Sequence, residues 1–493
     1  MKKILFTAII AATLQVNAQE NKLLDANFWK AAPNLATLKA EIEKGNNPAE
    51  LNANAFDPVV LAINNSAPLE DIKYLLELPG NATNKMTHDN RIYLHWAAYK
   101  GNTELVQHLI AKGSDINLED SHGTTPIAFA ASAGVNNPTT YDAFFKAGID
   151  PKKKYSEGAT LLLLAIPGDK DLTITDYLVS KGLSLKEVDS HGNTAFDYAA
   201  RSGNVDLLKK LAAKGVKYTD NALITAAQGM RRSANSIEVF KYLVDDLKLK
   251  PTATASNGQT VLHIIAYKEK QAEIVKYFID KGVDVNKADK EGNTALIIAA
   301  AGKDVELIQT LLPKVKNINA VNTKGESALT AAVKGSSTEV ISLLLSKGAD
   351  INVKDTAGNN LAFYLIESYK GSRGGAQKDD FDDKLNLLKS KGINFAAQQK
   401  DGSTLYYTAA AKNNIALLKK LDGLNIDVNA KNKEGLTALH KAAMIAKDDS
   451  VLKYLLSIGA KKEIKTEFDE TAYNLAQENE LLTKNNIAID FLK

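Results

Sequence analysis

Seven histidines and no cysteine bound the metal and nucleophile chemistry open to this 493-residue chain. Without cysteine there is no disulfide, no thiolate nucleophile and no thiolate-ligated metal. His122 and His191 each sit in the phrase Asp-Ser-His-Gly, too far apart to share one ion. Asp379, Asp380, Asp382 and Asp383 concentrate carboxylates, which hard cations favour. Their spacing lacks the central glycine and terminal glutamate of a calcium loop. A solvated acidic helix start, facing the positive end of a helix dipole, is the better reading. Gly371-Ser372-Arg373-Gly374-Gly375 has neither the lysine-serine or lysine-threonine ending nor the preceding strand of a phosphate loop. No Gly-x-Ser-x-Gly elbow and no paired-histidine zinc motif occurs. The residues therefore predict no catalytic group, no metal site and no cofactor.

The elements that would position any site are set by a period. Gly123, Gly158, Gly192, Gly258, Gly292, Gly325, Gly358, Gly402 and Gly435 recur at intervals of 35, 34, 66, 34, 33, 33, 44 and 33 residues. The 66 is two periods and the 44 is one period plus an insertion. A fixed period of this size marks a stacked-repeat array, in which each unit contacts only its neighbours.

One unit begins Asp289-Lys290-Glu291-Gly292-Asn293-Thr294 and runs into Ala295-Leu296-Ile297-Ile298-Ala299-Ala300. Aspartate with glycine three residues on suits a type I turn. Thr294 is placed to cap a helix, and Pro126 occupies the first helical position of another unit, where its missing N–H is harmless. The alanines let a second helix approach closely. That second helix is clearest from Glu339 to Lys347, ending at Gly348 as a left-handed cap. Both helices are too short to be stable alone.

These residues resemble the ankyrin repeat: Asp-x-x-Gly-x-Thr-Ala/Pro-Leu-His-x-Ala-Ala, then Glu-Val-Val-x-x-Leu-Leu-x-x-Gly-Ala-Asp-Val-Asn. The resemblance implies an all-α ankyrin-repeat solenoid of about 13 helix-turn-helix units with short β-hairpin fingers, over residues 55–493. Capping helices are expected over 19–54, and insertions near 135–140, 229–235 and 369–380. It also implies that His95, His263 and His440 tie neighbouring fingers by hydrogen bonds. The family presents variable residues just after the paired alanines, on the concave side. Here those are Tyr99, Lys100, Arg201, Tyr267, Lys268, Lys334, Lys412 and Met444. A broken basic stripe with two tyrosines suits an acidic protein face, although a lysine at a helix C-terminus is equally explained by the dipole.

Residues 1–18 differ from the rest. Lys2 and Lys3 precede a mostly apolar run over 4–14, and Val16-Asn17-Ala18 ends in a small residue suited to cleavage. This reads as a secretory signal peptide, with a periplasmic or secreted product. A lipid anchor would need a cysteine at the cleavage site. Removing the leader leaves 59 basic against 58 acidic residues, so overall charge gives no argument for nucleic acid. No run is long enough to span a bilayer. The expected function is a non-enzymatic scaffold that binds a protein partner through its concave face and fingers, supporting or protecting an enzyme. Two alternatives stand beside it: a salt-sensitive binder of polyanionic glycans or membrane surfaces, and an enzyme whose site lies in the insertions.

Overall fold

A computed structural model describes residues 21–230, 234–371 and 380–493. The expected leader, the insertion segments 231–233 and 372–379, and with them Asp379, lie outside the described residues. The described chain is all-α. It has 28 α-helices and no strands, with isolated bridges at Val188–Thr194, Thr254–Thr260 and Val321–Ser327 in three of the finger hairpins.

The chain divides into two compact units, Met1–Tyr218 and Thr219–Lys493. The first opens with a cap pair, Ala26–Lys30 and Leu35–Glu43, whose N-termini are closed by the side chains of Asp25 and Asn34. Five repeat pairs follow, from Pro58–Asn64 with Leu69–Leu76 to Ala195–Ala200 with Val205–Ala213. The second unit holds eight pairs, from Asn221–Gln228 with Ile237–Lys241 to Ala472–Glu478 with Glu480–Lys484.

The finger is a turn held by its own aspartate. The Asp289 carboxylate accepts the backbone N–H of Glu291 (3.0 Å) and of Asn293 (2.8 Å), and the Asp289 N–H donates to the Asn293 carbonyl (2.9 Å). Gly292 then turns at φ +81°, a region costly for other residues. A Cβ there would also stand 2.9 Å from the Thr323 nitrogen of the next finger. Glycine is thus required both by conformation and by the closeness of the neighbour. Thr294 accepts the Ile297 N–H as the first helix begins, and Gly348, at φ +90°, ends the second helix Thr338–Ser346.

Neighbouring repeats are joined by three kinds of bond. A backbone N–H of one finger donates to a carbonyl of the finger before it: Lys290 to Asn257, Thr323 to Glu291 and Thr356 to Lys324, all at 2.8–2.9 Å. Ser121 to Asp89 and Ser190 to Glu157 repeat the bond in the first unit. The asparagine that closes the motif bridges the loops after second helices. Asn286 donates to the Lys314 carbonyl (2.9 Å) and accepts the Lys316 N–H (2.7 Å). Asn319 and Asn429 do the same one repeat further on from their own positions. Third, tyrosine and lysine one helical turn apart converge on one carboxylate of the preceding repeat. Tyr277 and Lys281 meet Asp245 at 3.0 and 2.6 Å, and Tyr177 and Lys181 meet Asp142 at 2.5 and 3.0 Å.

Apolar burial completes the stack. First helices pack on first helices and second on second. Ala299, Ala300 and Leu344 are fully buried. Helix Thr338–Ser346 lies between Val305–Leu311 and Phe381–Ser390, so Leu344 is shielded by adjacent repeats. Leu344→Ala is expected to cost about 2–5 kcal/mol, in the range of core truncations. Urea denaturation checks this; an unchanged midpoint would mean that the second helices do not share that side chain.

Candidate functional site

The motif histidines show how sequence fixes the scaffold around a site. His263 stands three residues after Thr260, at the start of helix Val261–Ala266. Its Nδ1 accepts the Thr260 N–H (3.1 Å), and its Nε2 lies 3.0 Å from the Asn293 carbonyl of the next finger. An imidazole that accepts at Nδ1 and donates at Nε2 is neutral. His95 and His440 repeat the pattern, with the Thr124 and Ile464 carbonyls each 3.0 Å from Nε2. All three are buried, and that desolvation holds their pKa values below the ordinary imidazole range. The structural role expected for them is what the geometry shows.

Two further finger histidines have partners that sequence reasoning missed. His122 Nε2 lies 3.3 Å from Asp89, and His191 Nδ1 lies 3.3 Å from Glu157. Asp89 and Glu157 both occupy the left-handed region, at φ +57° and +58°, one finger earlier. The shared Asp-Ser-His-Gly wording thus places an imidazole beside the acid of the preceding finger. Among the described residues no group of three or more histidines and carboxylates is arranged to hold a metal ion.

The expected contact residues fall into different environments. Lys100, Lys268 and Lys412 each donate to a carbonyl in the last turn of the preceding first helix: Asn64 (3.1 Å), Gln228 (2.6 Å) and Glu367 (2.7 Å). The negative end of a helix dipole accounts for all three. Tyr99 stacks on Phe129 of the next repeat, with centroids 5.2 Å apart and planes 20° from parallel. The Arg91 guanidinium lies 4.4 Å from the same ring centre and donates to Asp120 at 2.8 Å. Tyr267 has the same register as Tyr99 but is 83% exposed. Arg201 is exposed in the first unit, and Met444 is exposed on the last turn of Ala438–Ile445.

Tyr267, Lys268 and Lys334 are brought together. They edge a cleft of about 670 Å³ in the second unit. Its floor is Ile264, Ile298 and Ala331, the same position in three successive first helices, continued by Ala301 and Gly335. Gly335 is small of necessity, because a Cβ would meet the Ala301 carbonyl at 2.7 Å. The finger-side wall is a chain of polar groups. Asn322 Nδ2 donates to Asn293 Oδ1 (3.1 Å) and to Glu326 (3.2 Å), and Lys334 Nζ donates to Glu326 (2.8 Å). Burial alone would raise the Glu326 carboxyl, but the Lys334 and Asn322 hydrogen bonds outweigh it and hold it below the usual range. Lys334 also lies 5.1 Å from the Tyr364 ring centre. The arrangement offers an apolar trough with amide and charged edges and no nucleophile–base pair. Lys412 and Met444 lie in the same unit outside this cleft, and Tyr99, Lys100 and Arg201 lie in the first unit.

Models of ankyrin repeats match residues 59–155, 134–222, 223–320 and 262–355, and a further one matches 406–456. The chain belongs to the ankyrin repeat family. Among curated relatives, the palmitoyltransferase AKR1 of Lachancea kluyveri is 25% identical over 272 residues, covering 52% of this chain and 32% of that protein. A transient receptor potential cation channel subfamily A member 1 homologue of Caenorhabditis elegans is 29% identical over 185 residues, covering 37% of this chain and 15% of its own. The probable 26S proteasome regulatory subunit p28 of Saccharomyces cerevisiae is 29% identical over 132 residues, covering 26% and 57%. This chain therefore spans less than two thirds of each. The crystal structure of the ankyrin repeat domain of Bcl-3 is similar at 21% identity with a TM-score of 0.35, covering 54% of this chain and 99% of that one. No helix among the described residues is long and apolar enough to cross a membrane.

The histidine geometry gives this ankyrin array a pH signature. A buried histidine with a lowered native pKa makes the unfolded state bind more protons, so its stabilising share is complete above the unfolded value near 6.5 and is lost as pH falls through the native one. His263→Gln is expected to flatten the loss of thermal stability between neutral and acid pH relative to the parent chain. Melting curves across that range check it; parallel curves would show that His263 is not a neutral staple.

Proposed function

We propose that this ankyrin repeat chain is a non-enzymatic scaffold that captures a protein partner on the face where first helices and fingers meet. We place it in the bacterial envelope or exterior, where it supports or protects an enzyme. The observation that carries the binding face is the open cleft with an apolar floor and the exposed Tyr267 at its edge. Large aromatic side chains left in solvent beside apolar surface are favoured anchors in interfaces. The repeat-to-repeat bonds hold this surface in place, so little ordering cost is paid on binding. Export rests on Lys2, Lys3, the apolar run over 4–14 and the small-residue ending at Ala18.

Tyr267→Ala is expected to abolish partner capture from an envelope extract without changing the melting temperature, because Tyr267 is 83% exposed. Tyr99→Ala is expected to lower the melting temperature, since it removes the Phe129 stack. Capture measured by mass spectrometry against thermal melts separates the two. Capture that survives Tyr267→Ala would remove this face from the account. Capture that survives Tyr267→Ala and yet collapses on adding salt would favour a polyanionic glycan or membrane surface, since exposed charge pairs are screened.

A further inference from the structure

The cleft has small residues in its floor and exposed lysines along its finger edge. Two exposed or half-exposed sites of the floor, Ala301 and Ala331, are small beside the larger Ile298 and leave a hollow, while Gly335 lets the Ala301 backbone approach closely at its margin. At the fingers that form its wall, Lys287, Lys290 and Lys324 are exposed and make no ion pair among the described residues. Lys324 stands two residues after Asn322, Lys290 directly follows Asp289, which accepts from Gln259, and the Lys287 backbone reaches His263. Asn322, Gln259 and His263 all line the cleft. The wall's own carboxylates are already engaged. Glu326 is paired with Lys334, and Asp289 is taken up by turn N–H groups. Two exposed acids stand among the three lysines: Asp284, which accepts the Asn286 N–H (2.9 Å) and feels the Lys287 charge, and Glu291, which lies 3.5 Å from the Asn293 amide.

We propose that this cleft takes an acidic polypeptide segment that buries one large apolar side chain against Ile298, Ala301 and Ala331, with its carboxylates meeting Lys287, Lys290 and Lys324. The proposal rests on the binding face named above and specifies its ligand. An apolar side chain supplies burial in the hollow, and complementary charge selects the sequence around it.

The test uses the full chain and short fluorescent peptides: one rich in glutamate with a central leucine, the same with leucine replaced by serine, and the same with every glutamate replaced by lysine. Anisotropy is expected to show binding of the first, roughly tenfold or greater loss for the serine peptide, and no binding of the lysine peptide. Ala301→Phe fills the hollow from an exposed position and is expected to abolish binding at an unchanged melting temperature. If it destabilises the chain, the serine peptide alone still tests the anchor. The combined change Lys287→Glu, Lys290→Glu and Lys324→Glu is expected to transfer preference to the lysine peptide. Equal binding of the glutamate and lysine peptides, or binding indifferent to leucine, overturns the proposal. Should the peptides fail while Tyr267→Ala still abolishes native capture, the face stands and the acidic ligand falls. If Tyr267→Ala has no effect on capture, the face itself is wrong.

Discussion

Each repeat leaves backbone and apolar surface unmet, and the next repeat meets it. This constraint governs everything else in the chain. Two short helices cannot hide their own apolar sides, and a finger turn exposes a carbonyl and an N–H that its own residues do not satisfy. The bonds from Lys290 to Asn257, from Thr323 to Glu291 and from Thr356 to Lys324 answer the second need. His263 answers both, because its ring is buried while its two nitrogens join the start of its own helix to the following finger. Stability is therefore distributed through interfaces between repeats and is not a property of any one of them.

The same constraint decides which surface groups remain for a partner. A lysine at the end of a first helix looks available, yet Lys100, Lys268 and Lys412 bridge to the preceding helix terminus. Lys334 is drawn to Glu326. What remains open is set by size as much as by charge. Where the floor residues shrink to alanine and glycine a trough forms, and where they are Trp96 and Phe129 an aromatic cluster closes over Tyr99 and Arg91. Recognition and cohesion thus draw on neighbouring positions of one short helix.

Much of the fold was legible because it repeats. The glycine period, the helix pairs and the left-handed caps at residues such as Gly348 follow from local rules applied many times over, and the stapling role of His95, His263 and His440 follows from the family resemblance. The fates of Tyr99 and Tyr267 were not legible, since the two share a register and differ in what the next repeat places at one position: the ring of Phe129 for one, the aliphatic Ile298 for the other. The pairing of His122 with Asp89 had a signal, an acid one repeat upstream at the tip of the preceding finger, but a single histidine gives no hint of a partner 33 residues away. The cleft was hidden for a plainer reason. Ala301 and Ala331 carry no chemistry of their own, and what they contribute is the space their small side chains leave. The division between Tyr218 and Thr219 likewise has no local mark beyond the missing turn glycine after Asp220.

Native-state amide hydrogen exchange at the finger tips tests the account most directly. The N–H groups of Lys290, Thr323 and Thr356 sit on exposed loop residues, but each is bonded to the finger before it. They are expected to exchange slowly, opening together with the helices of their repeats. Exchange at the rate of a free loop would contradict the claim that each repeat is completed by its neighbour.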